Sequence, residues 1–230
     1  MPNIHDIERH LGEVYREIDQ DVSRLHARWK LLIQLFGSQE SVDILNASSP
    51  FSIFAIQESL MNSVLLRITK LTDPANSNCG RFANVSFANL LNNLPDDATP
   101  DLIDNLTAKL GTIKNETEEF RLLRHKSLAH RDAAFALDPD CILPGITKAK
   151  LRDVLKLFRE FMHEIQKYYG WSGSLYENIE LGRDGNSLLL HLAGGKKYID
   201  LHEHKGKSTM NDSEICEQLK TLPSIPKNAV

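Results

Sequence analysis

The sequence predicts an all-α protein: an antiparallel up-down bundle of four long and two short helices, with a small mixed appendage at its C-terminal end. Apolar residues recur every three or four positions along four long segments, as on the buried stripe of an amphipathic helix. No stretch before Gly170 alternates convincingly between apolar and polar residues, as a strand would. Beyond Gly170 the chain is rich in glycine and serine. We therefore predict a helical domain over residues 1–170, then an appendage with a mobile tail over residues 171–230.

The first half of the predicted bundle contains two long helices and one short one. Regularly spaced apolar residues predict a helix from Ile4 to about Phe36, which Gly37 ends. A short helix is predicted over residues 39–45. The next segment, Phe51 to Leu71, is apolar around most of its circumference, so we expect it to be the most buried helix. The turn Thr72-Asp73-Pro74 ends it.

The second half adds one short helix and two long ones. Residues 74–84 are small and polar and predict a loop, and a serine N-cap then begins a short helix over Ser86–Leu94. The following helix, from Asp101 to about Leu128, is named the motif helix for the residues at its end. Its apolar stripe has a period nearer 3.5 than 3.6, which indicates packing along another long helix. Thr147 caps the last long helix, which Gly170 closes.

Two short elements are predicted in the appendage. The residues Asp-Gly-Asn-Ser, followed by Leu-Leu-Leu-His-Leu, favour an N-capped helical run over Asn186–Leu192. A short strand is predicted over Lys197–Leu201. The tail from His202 onward is polar and shows no core-forming pattern except over residues 215–222.

Composition excludes several functional classes. A net charge of −4 and a pI near 6.1 exclude a protein that coats nucleic acid non-specifically, so any contact with RNA must be local. The three cysteines lack CxxC spacing, which predicts a reducing environment and argues against a zinc site. Neither a signal peptide nor a membrane span is evident, so we expect a cytoplasmic protein without membrane contacts.

The most informative stretch is EEFRLLRHKSLAHRD, from Glu118 to Asp132, at the end of the motif helix. Its acids stop at Glu119, and cations and histidines follow up to Arg131. Cations near a helix C-terminus are favoured by the helix dipole, which explains part of the asymmetry. The remaining feature is a guanidinium and an imidazole, those of Arg124 and His130. Such a pair can bind a phosphate and transfer a proton.

This pair also resembles a known family signature. Arg124, the polar residue His125 and then His130 are similar to the Arg–(four to six residues)–His motif of the HEPN superfamily of helical RNases and nucleotide-binding proteins. The run RHKSLAHRD resembles its abortive-infection branch, AbiU-like, which usually has Asn where this chain has His125. The earlier stretch LLRITKLTDP, from Leu65 to Pro74, resembles the Leu-Thr-Asp turn of that branch. The resemblance covers roughly residues 50 to 195.

The resemblance implies a metal-independent endoribonuclease without a cofactor, acting in phage defence or as the toxin of a toxin–antitoxin pair. RNA would be the substrate, and a nucleotidyltransferase-like antitoxin a partner. Arg124 would bind the scissile phosphate, and His130 would move a proton to or from a ribose oxygen. Four neighbours are expected to support them: Arg121, His125, Lys126 and Asp132.

Structural alternatives accompany these roles. Arg124 and His130 can simply bind carbonyls at a helix end, and Arg121 can pair with Glu118 on the same helix face. Asp132 can cap the following turn. The alternative function is a non-catalytic dimeric helical module that binds RNA, a nucleotide or a protein partner.

Helix geometry constrains the proposed pair. Residues six apart on a regular α-helix lie about 120° apart around the axis and about 9 Å apart along it. Arg124 and His130 therefore cannot meet on one face of a straight helix. Either the helix is distorted, or it ends near Lys126, or two copies of the chain supply one pocket. The resemblance to HEPN RNases implies a pocket shared by two copies, with their motif helices facing each other across a two-fold axis. We therefore predict a homodimer through the motif helix.

Overall fold

A computed structural model describes residues 9–77, 80–129 and 145–205, with side chains over 11–77, 80–126 and 145–201. The fold is all-α, as predicted, with one very small sheet in the described part of the chain. The described residues form two compact units, each made of two separate stretches of chain. The first unit takes residues up to 27 and residues 62–179, and the second takes residues 28–61 and those from 180 onward.

Three helices make up the first part of the chain: α1 is Arg9–Phe36, α2 is Gln39–Ser48 and α3 is Pro50–Leu71. All three lie where the sequence predicts helices, although Ile4, the predicted start of α1, lies outside the described residues. Ser38 caps α2, because its hydroxyl accepts from the backbone N–H of Ser41.

The prediction that α3 is the most buried helix is wrong for its first half. Phe51 is 84% exposed and Phe54 is 61% exposed, whereas the second half carries buried residues such as Val64 and Ile68. A sequence that is apolar all around a helix predicts burial on every side. In this chain only the second half of α3 carries buried residues, and even there Leu66 is exposed, so the first half presents aromatic side chains to solvent.

A small antiparallel hairpin and a short helix follow α3. Strand β1, Asn76–Ser77, pairs with strand β2, Phe82–Ala83, where the sequence predicts only a loop. Two-residue strands are too short to show an alternating pattern, which explains why the prediction of no strand before Gly170 is wrong. Helix α4, Phe87–Asn92, begins as predicted at an N-cap serine, Ser86.

The predicted motif helix is divided into three pieces. Helix α5 is Pro100–Glu116, α6 is Glu118–Leu123, and a π-helix runs from Arg124 to Ala129. Thr117 lies at the first break, where its buried hydroxyl donates to the carbonyl of Ile113 at 2.7 Å. Such back-bonding by threonine bends helices. The prediction of one continuous helix is therefore wrong, although its apolar stripe is buried from Leu102 to Phe120.

Helix α7, Lys148–Tyr168, packs antiparallel along α5 in the first unit. Lys109 of α5 lies 3.7 Å from Glu164, and Glu116, further along α5, lies 2.6 Å from Lys150, near the start of α7. Thr147 caps α7 as predicted, and Gly170, with φ of 65°, follows its C-cap. The eight residues predicted to face inward on α7 are all buried: Leu151, Val154, Leu155, Phe158, Phe161, Met162, Ile165 and Tyr169.

The end of the described chain is helical. A 3₁₀ turn spans Tyr176–Asn178, and α8 runs from Gly185 to Lys205. The predicted strand at Lys197–Leu201 is wrong, because these residues continue α8. In the second unit Gln34 accepts from the backbone N–H of Gly185 at 3.1 Å and donates to Asp184 at 2.6 Å, which fixes the start of α8.

The domain boundary predicted after residue 170 stays a prediction, because a grouping into compact units does not show which segments fold alone. None of the described helices is both long enough and apolar enough to cross a bilayer.

We expect Phe120→Ala to lower the free energy of unfolding by about 3–5 kcal/mol, because it leaves a cavity where a fully buried ring anchors α6. The control is Glu119→Ala on the same short helix, where the side chain is exposed and the cost should stay below about 1 kcal/mol. Urea unfolding followed by circular dichroism measures both. Equal losses in the two variants would contradict the packing of α6.

Candidate functional site

The turn after α3 is fixed by its own hydrogen bonds. The backbone N–H and the hydroxyl of Thr72 both donate to the carbonyl of Ile68, at 3.2 and 3.0 Å. The N–H of Asp73 donates to Lys70, and Pro74 cannot continue the helix. Thr72 is buried and Asp73 is half-buried, so the carboxylate of Asp73 is held at the surface of the first unit.

Two arginines from the motif segment meet this turn. Arg121 of α6 donates to the carbonyl of Thr72, and its Nη1 lies 3.6 Å from Oδ1 of Asp73. Arg124, the first residue of the π-helix, places Nη1 3.4 Å from both carboxylate oxygens of Asp73. The two sequence motifs, about fifty residues apart in the chain, therefore form one cluster, which we name the arginine clamp: Thr72, Asp73, Arg121 and Arg124.

The arginine clamp resolves one alternative left open by the sequence. Arg121 binds the turn after α3, and a surface pair with Glu118 is not what the structure shows. The sequence had singled out the Leu-Thr-Asp stretch only as a resemblance and did not place Asp73 at the site. The charge pattern near Arg124 gave no indication of this partner, because Asp73 lies in the turn after α3, about fifty residues earlier in the chain.

The backbone at Arg124 is distorted. Residues Arg124–Ala129 form a π-helix, whose i→i+5 hydrogen bonds make a wider turn than that of an α-helix. Successive side chains are then rotated by less than the ~100° of an α-helix. The helix does not end near Lys126. Of the three geometric alternatives, the distorted helix is the one that the structure shows, up to Ala129. A pocket shared by two copies of the chain is compatible with this distortion.

The remaining predicted site residues divide into two groups. His125 is exposed and Lys126 is half-buried on the π-helix, next to the arginine clamp in sequence. His130 and Asp132 lie outside the described residues. Arg121 and Arg124 together carry two positive charges against the single carboxylate of Asp73, so the arginine clamp itself has an excess of positive charge in an acidic protein.

A second polar cluster, which the sequence did not reveal, lies inside the first unit. Tyr176 and Ser174 both donate to the carboxylate of Asp19, the latter at 3.0 Å, and the side chain of Gln166 donates to Tyr15 at 2.8 Å. Burial raises the pKa of the Tyr176 hydroxyl, as does its hydrogen bond to Asp19. These hydroxyls stay protonated, so the cluster acts as a structural hydrogen-bond network.

A surface cavity of 360 Å³ lies beside this network. Three of its lining residues are acids (Glu160, Glu164 and Glu177), and Arg159, which also lines it, is paired with Glu177. Carboxylates repel phosphate, so this cavity does not suit a nucleic-acid backbone. The arginine clamp has the opposite charge and is the better candidate for anion binding.

His26 is a buried histidine at the edge of the same network. Its ring stacks on Tyr176 with centroids 5.6 Å apart, and its Nε2 has no hydrogen-bond partner within the described part of the chain. Burial lowers the pKa of His26 to about 4, although the charge of Glu177 and a hydrogen bond to the Leu155 backbone act against the shift. His26 is therefore neutral at physiological pH and is unsuited to bind phosphate.

A helical unit in which an arginine of the RHKSLAH run is held beside a Leu-Thr-Asp turn is a HEPN-type module. A family model described as AbiU2, of HEPN type, matches residues 8–181. The match spans more than half of the chain, and the chain therefore belongs to the AbiU2 family of abortive-infection HEPN proteins. The matched region begins well before residue 50, so α1 is part of the family module. No curated protein and no solved structure matches the chain.

We expect the free energy of unfolding to fall by up to about 3 kcal/mol between pH 6.5 and pH 4 because of His26. The unfolded chain binds a proton at His26 below about pH 6.5, whereas the folded chain binds it only below about pH 4. Stability is thus complete above 6.5 and lost as the pH falls. His26→Gln should flatten this part of the pH profile in urea unfolding.

The matched control for His26 is His191→Gln, at an exposed histidine of α8. This variant should keep the wild-type pH profile. A profile that is unchanged in His26→Gln would show that the buried imidazole is not the titrating group.

Proposed function

We propose that this AbiU2-family protein is a metal-independent endoribonuclease that acts in phage defence or as the toxin of a toxin–antitoxin pair. The observation that carries the proposal is the fixed position of Arg124, the arginine of the RHKSLAH motif. Its guanidinium reaches Asp73 through Nη1 at 3.4 Å, so the ion pair holds the group beside the turn after α3 without engaging its other two nitrogens. A planar group with donors outside the ion pair suits bidentate binding of a phosphate.

The proposed reaction uses the ribose as its own nucleophile. His130 removes the proton from a 2′-hydroxyl, the 2′-oxygen forms a bond to phosphorus, and the bond from phosphorus to the 5′-oxygen breaks. A proton returns to the leaving 5′-oxygen. The products are a 2′,3′-cyclic phosphate and a 5′-hydroxyl. The reaction involves no electron transfer and requires no metal ion. Arg124 offsets the charge that develops on the phosphate oxygens.

The neighbouring residues have supporting roles in this proposal. Arg121 shares Asp73 with Arg124 and extends the basic surface by a second guanidinium. His125 and Lys126 lie on the wider turn of the π-helix and would contact the flanking backbone of the RNA. Asp132 would orient His130 as a carboxylate steadies an imidazole.

The acidic net charge of the chain is the reason to propose a homodimer. One arginine clamp offers few cations, whereas two copies facing across a two-fold axis would join two clamps in one basic groove. The outward side of the motif helices supports such a contact, because Ile103 and Leu122 are partly exposed there. Symmetric pairing would also bring the histidine of one copy near the arginine of the other.

A protein partner, such as a nucleotidyltransferase-like antitoxin, is a further part of the proposal. The exposed aromatic residues Phe51 and Phe54 at the start of α3 support it, since exposed apolar patches mark interaction surfaces. The same observation favours the second candidate function, a non-catalytic module that binds a protein partner. An assay of RNA cleavage distinguishes the ribonuclease from the non-catalytic module.

We expect the purified protein to cleave single-stranded RNA in excess chelator and to leave 2′,3′-cyclic phosphate ends. Arg124→Ala and His130→Ala should each lower the rate by at least about 100-fold, because each removes a group that acts on the transition state. Arg124→Lys should recover only part of the rate, since a point charge cannot bind two oxygens in one plane. Gel analysis of end-labelled RNA measures these rates.

The matched control for the cleavage assay is Arg152→Ala on α7, where the arginine side chain is 71% exposed and pairs only locally with Asp153 among the described residues. It should cleave at the wild-type rate. Cleavage that disappears with chelator, or that persists in both Arg124→Ala and His130→Ala, would refute the proposed mechanism.

We expect light scattering at micromolar concentration to give twice the 26.0 kDa chain mass. Leu122→Asp should lower this mass towards that of one chain and lower cleavage with it, because a charge at the proposed interface is not compensated. Leu175→Asp, at an exposed leucine outside the motif helix, is the control and should leave both unchanged. A single-chain mass for the unaltered, active protein would exclude the shared groove.

A further inference from the structure

The hairpin β1–β2, which is hydrogen-bonded to Pro74 directly after Asp73, presents an exposed aromatic ring. We propose that Phe82, with Arg81 on its ring, is a stacking surface for one base of a single-stranded RNA whose phosphate is bound at Arg124. The inference rests on the proposed function and adds to it a binding residue outside the RHKSLAH motif. It depends on three features of the hairpin: its attachment to the Asp73 turn, the exposure of Phe82, and the surrounding charge.

The hairpin is attached directly to the turn that holds Asp73. The backbone N–H of Asn84 donates to Ala75 at 2.8 Å, and its side chain donates to the carbonyl of Pro74, also at 2.8 Å. Gly80 has φ of 88°, a left-handed conformation that closes the connection to β2 with no cost from a side chain. These hydrogen bonds therefore join the strand that carries Phe82 to the residues directly after Asp73.

Phe82 is not part of the hydrophobic core. It is 56% exposed, whereas the other phenylalanines of this part of the chain, such as Phe87 and Phe120, are fully buried. The guanidinium carbon of Arg81 lies 5.6 Å from the centroid of its ring. Arginine and aromatic planes are the groups on which single-stranded bases stack, and the stacking tolerates any base because every base has a π-face.

The distance to the arginine clamp suits a short stretch of RNA. Ser77, the strand partner of Phe82, follows Asp73 by four residues, which span at most about 14 Å when extended. The pairing of neighbouring strands adds about 5 Å. Stacked nucleotides rise by about 3.4 Å each, so a few of them bridge Phe82 and a phosphate at Arg124.

Charge favours nucleic acid over a protein as the occupant of this surface. Arg81 is exposed beside Phe82, with its guanidinium over the ring. In the arginine clamp, the two guanidiniums of Arg121 and Arg124 share one carboxylate, that of Asp73. An aromatic ring flanked by cations matches the alternation of base and phosphate along a single strand.

The test is binding of a fluorescent, fully 2′-O-methylated single-stranded oligonucleotide, which lacks the hydroxyl needed for cleavage. We expect Phe82→Ala to raise its Kd about 5- to 100-fold, and Phe82→Trp to restore the wild-type value because a ring is kept. In the cleavage assay Phe82→Ala should raise KM by a similar factor and leave kcat within about twofold.

Tyr198→Ala on α8 is the matched control, since Tyr198 is a similarly exposed aromatic of the second unit. An unchanged Kd in Phe82→Ala, with cleavage intact, would overturn the stacking role and leave the ribonuclease standing. If the oligonucleotide binds and Phe82 matters but no RNA is cleaved, the stacking role stands and the catalytic proposal fails. If the protein neither binds nor cleaves RNA, or Phe82→Ala alters only its association with protein, the stacking role is refuted.

Discussion

The carboxylate of Asp73 lies between two guanidiniums, and the arrangement of the candidate site depends on it. Arg121 and Arg124 come from one segment and Asp73 from the end of another helix, so their ion pairs fix the motif segment against the turn after α3. Half-buried ion pairs of this kind contribute modestly to stability, on the order of 1 kcal/mol. Their larger effect is on orientation, since a guanidinium that is held in place loses less entropy when a ligand binds.

The interruptions of the motif segment allow this arrangement. The buried stripe of α5 continues across the break at Thr117 to Phe120 in α6. Beyond it, the π-helix widens the turn at Arg124. π-Helical turns are rare and occur frequently at functional sites, because the distorted backbone positions side chains that a regular helix would separate.

Much of the fold could be predicted from the sequence, because its long helices have strong periodic patterns and clear caps. The stripe from Leu102 to Phe120 and the cap at Thr147 are examples. The strand predicted at Lys197–Leu201 failed because a five-residue pattern does not distinguish a strand from the continuation of a helix. The exposure of Phe51 could not be predicted, since periodicity reports which residues are apolar and not what covers them.

Within the site, the sequence identified Arg124 and its neighbours through a local pattern of charge and a resemblance. Asp73 was missed as a partner because ion pairs between distant segments leave no local pattern. A distorted helix was expected only as one of three ways to accommodate a spacing of six residues, and the sequence did not indicate a π-helix. The hydrogen bonds that Asp19 accepts from Ser174 and Tyr176 left no pattern either, since Asp19 lies 155 and 157 positions before these two residues in the chain.

The division of the chain into two units has a consequence for how the protein can be cut or recombined. The boundaries fall after residues 27, 61 and 179, so the chain passes from one unit to the other three times, twice in the middle of a long helix. A single proteolytic nick cannot release either unit as one continuous fragment. A ribosome must also synthesise the chain beyond residue 180 before α8 can join the second unit, so that unit is completed last.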